Sequence, residues 1–245
     1  MPTTRVDTPV SQYAVLDALL AGAYESGIAV ADVRALGGFG VGCCDALGGE
    51  VVILDGVLFE CTVDAPPQPM TDAESLPFVD VCDAPDSPPT PIRALDLTEF
   101  VSLVESELVS RNLFHAVRVD GLLSSVRLRV TPRERPPFRP LAEVVAGQVE
   151  TVVEGVTGTL VGFWCPGIYQ GVTVAGLHLH FLSDDRGVGG HVLDLTIAEA
   201  QLRMTAHDRF HLRLPTDERF LRTELTHDED RRIVAVEAGG ATART

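Results

Sequence analysis

The sequence predicts an α+β fold. A mixed β-sheet with helices is expected over residues 1–135, followed by a mostly antiparallel, barrel-like part over residues 136–245 that carries a metal site. Three observations predict it. Helical spacing of apolar residues is concentrated in the first half, whereas from Val152 onward strand-like runs follow one another. Between the halves, Pro132, Pro136, Pro137 and Pro140 alternate with Arg133, Arg135 and Arg139, a composition that breaks regular structure and sets a soft boundary. In the second half, two histidines share one face of an apolar strand, and a third follows a Gly-rich turn.

Residues 11–24 read as a helix, with Ser11 as N-cap and Tyr13, Leu16, Leu19, Leu20 and Ala23 at helical spacing. Residues 31–36 read as a second, short one. The glycine run Gly37-Gly38-Phe39-Gly40-Val41-Gly42 lacks the strand and spacing of a dinucleotide site. Gly48-Gly49 introduces a strand over 50–54, and Asp55-Gly56 turns the chain into a second over 57–61. Residues 66–69 and 87–91 are proline loops around a strand at 76–82. Residues 98–110 form the clearest helix, with Phe100, Leu103, Val104 and Leu108 on one face. Residues 115–119 and 125–130 read as a strand pair around Gly121. After a short helix at 141–148, strands are expected over 152–164, 172–182, 191–198, 201–206 and 209–214.

Composition excludes several function classes. The chain has 245 residues, enough for one large or two small domains, and a net charge of −16 that disfavours nucleic acid or anionic membrane as partner. The first ten residues lack the apolar core of a signal peptide, and no run approaches the length of a membrane span. Five cysteines without regular spacing fit a reducing compartment, so a cytoplasmic protein is expected.

The chemistry concentrates at His178, His180 and His191. Residues two apart on a strand face the same side, so His178 and His180 project together. Residues 183–190 are a polar, Gly-rich turn, and Val192-Leu193-Asp194-Leu195 resumes strand alternation behind His191. A hairpin brings the third imidazole beside the first two. Three neutral nitrogens with positions left open make a catalytic metal site, with Zn²⁺ the default and Fe, Mn, Ni or Cu compatible. Asp184 and Asp185 fit either a turn-forming role or support of the ligands. His207 and His211 flank a turn and are not assigned to metal.

The same stretch carries a resemblance. Residues 169–186, YQGVTVAGLHLHFLSDDR, followed by Gly189-Gly190-His191-Val192-Leu193, resemble the signature of the alpha-acetolactate decarboxylase family. The similarity runs from about residue 10 to about residue 237. It implies a carboxy-lyase that converts 2-acetolactate to acetoin, a two-part fold, and a homodimer formed through the N-terminal sheet. It implies that the metal chelates the substrate's hydroxyl and ketone oxygens, stabilising the charge that develops as CO₂ leaves. This β-keto acid holds its own electron sink, so no organic cofactor is needed.

The resemblance also assigns the remaining roles. The family's active-site arginine falls on Arg129, whose planar fork suits the substrate carboxylate. From the residues alone, Arg127 and Arg129 read equally as solvated surface arginines. The family's proton-transfer and hydrogen-bonding glutamates fall on Glu50 and Glu237, which otherwise read as a turn residue and a tail charge. Two departures stand out. Cys43 occupies a substrate-facing position where the family commonly has Thr, and Gly48 stands where it has Asp. Two further readings are another His₃ metalloenzyme of cupin-like type, a dioxygenase or isomerase, and an inactive homologue that binds metal or a small acid. The first lacks its usual G-x₅-H-x-H-x₃,₄-E motif here. The second is expected to have lost Arg129 or Glu50, and both are present.

Overall fold

The computed structural model describes residues 4–6 and 8–225. Its strands are β1 (Thr4–Val6), β2 (Val10–Tyr13), β3 (Ile28–Ala29), β4 (Phe39–Cys43), β5 (Glu50–Leu54), β6 (Val57–Cys61), β7 (Gln68–Pro69), β8 (Ser75–Leu76), β9 (Phe78–Cys82), β10 (Thr90–Asp96), β11 (Phe114–Val130), β12 (Val149–Cys165), β13 (Gly176–Ser183), β14 (Gly189–His207) and β15 (Phe210–Arg213). Its α-helices are α1 (Leu16–Leu20), α2 (Val30–Arg34), α3 (Leu97–Glu107), α4 (Leu141–Val145) and α5 (Glu218–Arg222). Strands predominate and helices flank them, which is an α+β fold.

Two large sheets carry the molecule, and β3 and β8 pair as a third of two strands. The first has seven strands in the order β15-β2-β9-β4-β5-β6-β7, antiparallel except for the parallel pair β15 and β2. The second has six. Its path runs β1-β14-β11-β12-β13, β10 also pairs with β14, and β13 returns to pair with β14. That return closes β11, β12, β13 and β14 into a ring, so the second sheet is partly closed. Sequence from both sides of position 135 enters each sheet: β10 and β11 join β12 to β14, while β15 joins β2.

Three apolar layers fill the space around them. Tyr13, Leu16, Leu19, Ile53 and Val144 pack one face of the seven-stranded sheet under α1, α2 and α4. Phe39, Val41, Val52, Phe163 and Leu182 fill the layer between the sheets. There Phe39 and Phe163 meet edge-on with centroids 6.2 Å apart. Phe100 and Val104 of α3 cover the six-stranded sheet. α3 begins with a capping box, in which the Asp96 carboxylate accepts from the Glu99 backbone N–H and the Glu99 side chain accepts from the Asp96 N–H.

The expected pair at 50–54 and 57–61 is present with those bounds. Besides β7 and β10, which reach into the expected loops at 66–69 and 87–91, three expectations need correction. Residues 10–13 form β2 and not the start of a helix, and only Leu16–Leu20 is helical. β2 pairs with β15 on one side and β9 on the other, and this pairing outweighs a helical spacing of only a few residues. Ala14, at φ 64°, ends the strand and turns the chain. Residues 115–130 are not a hairpin around Gly121 but part of one strand of 17 residues, β11. A Cβ at Gly121 would stand 2.4 Å from the Glu199 carbonyl oxygen, so this glycine permits close approach of β14. The expected strands at 191–198 and 201–206 are one strand, β14, which slips register against β11 at Leu122 to Ser125.

Candidate active site and metal centre

The site lies where a row of side chains on one sheet meets a row on the other. On the six-stranded sheet, Arg129 of β11 is directly opposite His191 of β14, and His191 is directly opposite His180 of β13. Opposed residues on paired strands share a face, so the three project together. His178, two residues before His180, joins them. On the seven-stranded sheet, Glu50 of β5 is opposite Cys43 of β4 on one side and Cys61 of β6 on the other. The two rows touch. Glu50 Oε2 is 3.6 Å from His180 Nε2, and Glu50 Oε1 is 3.9 Å from Arg129 Nε. His180 Nδ1 donates to the Val51 carbonyl at 2.9 Å.

The three imidazoles fit a metal ion. One nitrogen from each of His178, His180 and His191 lies within 4.8 Å of the others. The Val51 carbonyl accepts the hydrogen bond from His180 Nδ1–H, which fixes the tautomer and leaves Nε2 as the lone-pair nitrogen. His178 Nε2 and His191 Nδ1 approach to 3.1 Å. Burial, with Arg129 nearby, pulls the His178 pKa down to about 3, and burial holds His180 well below its ordinary value. Both rings are therefore neutral, the form that ligates metal.

His178, His180, His191, Glu50, Arg129 and Cys43 all line one small cavity. Its remaining wall is largely apolar, with Leu16, Leu19, Phe78, Leu141, Val145 and Val174. Arg129 is 4% exposed, whereas Arg127 is half-exposed and pairs with Glu150 at 3.2 Å. Of the two candidate arginines, only Arg129 faces the cavity. Burial, reinforced by the Glu50 charge, pushes the Cys43 thiol well above its ordinary pKa. Glu237 lies outside the described residues. Asp185 serves the hairpin turn, accepting from the Ser183 hydroxyl at 2.7 Å and the Gly187 N–H at 2.8 Å. His207 donates from Nδ1 to the Thr8 carbonyl, and His211 lies on β15.

Sequence reasoning missed the apolar wall. Leu16 and Leu19 read as the apolar positions of one helix and Leu141 as the start of another, because lining a cavity and filling a core leave the same apolar pattern. Thr131 also lines the cavity, with its hydroxyl donated to the Leu47 carbonyl at 2.6 Å. Its place two residues beyond Arg129 on an extended chain was the one available signal.

Comparison with known proteins decides the family. The family model described as alpha-acetolactate decarboxylase matches residues 10–227. The chain belongs to the alpha-acetolactate decarboxylase family. It is 37% identical to the alpha-acetolactate decarboxylase of Methanosarcina mazei over 215 residues, covering 87% of this chain and 75% of that protein. It is 34% identical to the enzyme of that name from Methylococcus capsulatus over 236 residues, covering 95% and 90%. The crystal structure of alpha-acetolactate decarboxylase from Bacillus subtilis strain 168 superposes with a TM-score of 0.91 at 29% identity, covering 95% of this chain and all of that one. Membership of this carboxy-lyase family accounts for the α+β architecture. Among the described residues, no helix is long and apolar enough to cross a membrane.

Proposed function

We propose that this protein decarboxylates 2-acetolactate to acetoin, with Zn²⁺ held by His178, His180 and His191. The observation that carries the reading is the convergence of those three histidines with Glu50, Arg129 and Cys43 on one cavity in a member of this family. A bound divalent cation would supply a Lewis acid for the negative charge that builds on the ketone oxygen. Arg129 pairs with the substrate carboxylate and holds the bond to be broken in place. Cleavage of that carbon–carbon bond releases CO₂ and leaves its electron pair delocalised toward the ketone. Glu50 then gives a proton to the carbon that lost CO₂, and recovers one from solvent, so one proton is consumed per turnover. Cys43 lies beside Glu50 and contacts the substrate, and Glu237 shares the proton transfer. The Leu16, Leu19 and Val174 wall excludes water and receives the methyl groups. The protein acts as a cytoplasmic homodimer.

The test compares acetoin formation from racemic acetolactate by the protein as isolated, after chelation, and after Zn²⁺ is restored. Activity lost on chelation and regained with metal supports the reading. No acetoin from folded, metal-loaded protein would overturn it.

A further inference from the structure

A buried polar cluster behind the apolar wall has no part in the chemistry above. Gln12 of β2 and Asp80 of β9 are directly opposite each other, and each is 2% exposed. Gln12 Nε2 donates to the Ala14 and Val172 carbonyls, each at 2.7 Å. Two carbonyl partners fix the amide orientation, because only the NH₂ end can face them. Gln12 Oε1 is thereby turned elsewhere, and it is buried without a partner. Asp80 Oδ2 accepts from the Thr173 hydroxyl at 3.1 Å, while Asp80 Oδ1 is also buried without a partner. Two opposed residues each present an unsatisfied acceptor in the same buried interior. Ionised Asp80 brings no donor to this pair. A proton on Oδ1 supplies the missing one.

The cluster holds the elements that form the wall. Val172 accepts from Gln12 and from the Leu16 N–H at 3.0 Å, tying the loop before β13 to the start of α1. Thr173 is followed by Val174, which lines the cavity, and Phe78, two residues before Asp80 on β9, lines it too. We propose that Asp80 is a positioning residue, a neutral carboxylic acid that donates to Gln12 and accepts from Thr173, and so fixes Leu16, Phe78 and Val174 against the substrate. The substrate part of this inference rests on the function proposed above.

The surroundings agree. Burial pushes the Asp80 carboxyl up to about 7, opposed only by the Thr173 hydrogen bond. The titratable groups facing it are the thiols of Cys165 on β12 and Cys82 on β9, which burial keeps protonated.

Two measurements test the proposal without substrate. The infrared difference between wild type and Asp80→Asn at pH 6 should contain a protonated-carboxyl C=O band. Its absence would overturn the neutral-acid assignment. Amide hydrogen exchange over residues 172–175 should quicken in Thr173→Val, and unchanged exchange would overturn the tethering role. With acetolactate, Thr173→Val and Asp80→Ala should raise KM by about tenfold, with kcat within about threefold. Asp80→Asn, which keeps a donor and an acceptor, should restore most of that KM. Equal losses in Asp80→Asn and Asp80→Ala, or parallel falls in kcat, would leave Asp80 a purely structural group. Inactivity of the wild type alone would count against the proposed reaction and leave the infrared and exchange results standing.

Discussion

At the residue scale, Arg129 shows how one strand position comes to line the cavity. Its neighbours on β11 are apolar and its guanidinium is buried, a costly placement for a cation unless anions meet it. Glu50 lies 3.9 Å away, and the arriving carboxylate supplies a second negative charge under the proposed function. Arg129→Ala should lower kcat/KM by on the order of 10²-fold while the protein still binds one metal ion. Steady-state kinetics with metal analysis would check this, and full activity in that variant would remove Arg129 from the site. The identity of this arginine was not legible from local pattern, since Arg127 and Arg129 have the same alternation. On that one face Arg129 lines the cavity, while Arg127, two residues away, is half-exposed and meets Glu150.

At the element scale, backbone spacing sets how the three histidines are arranged. Gly162 of β12 is opposite Leu179, between the two strand histidines, and a Cβ there would stand 1.9 Å from the His178 carbonyl oxygen. Gly162→Ala must push β13 outward, because a backbone atom cannot yield as a flexible side chain does. The expected outcome is loss of tight metal binding in a protein that retains its circular dichroism, and unaltered metal affinity would contradict it. α3 offers the opposite case. It packs on the six-stranded sheet away from the site, so Asp96→Ala should lower unfolding stability by about 1 kcal/mol through loss of the capping box. Urea denaturation would measure that loss. The sequence around α3 announced this helix well, because the amphipathic face is long enough to be unambiguous. β2 was misread because four residues carry too short a period, and its neighbours in the sheet are distant in sequence.

At the scale of the whole molecule, buried neutral histidines tie stability to pH. His115 accepts from the Val109 N–H at 3.1 Å and bonds the Leu113 carbonyl at 3.0 Å, and burial lowers its pKa to about 4. The unfolded chain binds this proton near pH 6.5 and the folded chain does not, so the contribution is present above 6.5 and is lost as pH falls toward 4. It amounts to on the order of 3 kcal/mol. Asp80 works in the reverse sense. Its folded pKa lies above the unfolded value, so its contribution is present below about 4 and is lost as pH rises to about 7. His115→Leu should therefore cost stability at pH 7, and the difference from wild type should shrink as pH falls from 6.5 to 4. A difference independent of pH, measured by denaturant unfolding across that range, would refute the linkage.

The motif of residues 169–191 carried the family, the hairpin and the three histidines, because period-two alternation and a Gly-rich turn are local properties that need no partner. Glu50 was legible only through the family resemblance, since its place after Gly48-Gly49 reads equally as that of a turn residue. The interlocking of the two sheets was not, since β10 and β11 reach across position 135 and β15 returns to β2 through contacts far apart in sequence. The apolar wall and the cluster of Gln12, Asp80 and Thr173 were equally hidden. A buried polar residue declares its role only through what surrounds it, and here its partners come from three separate stretches of the chain brought together by the packed sheets.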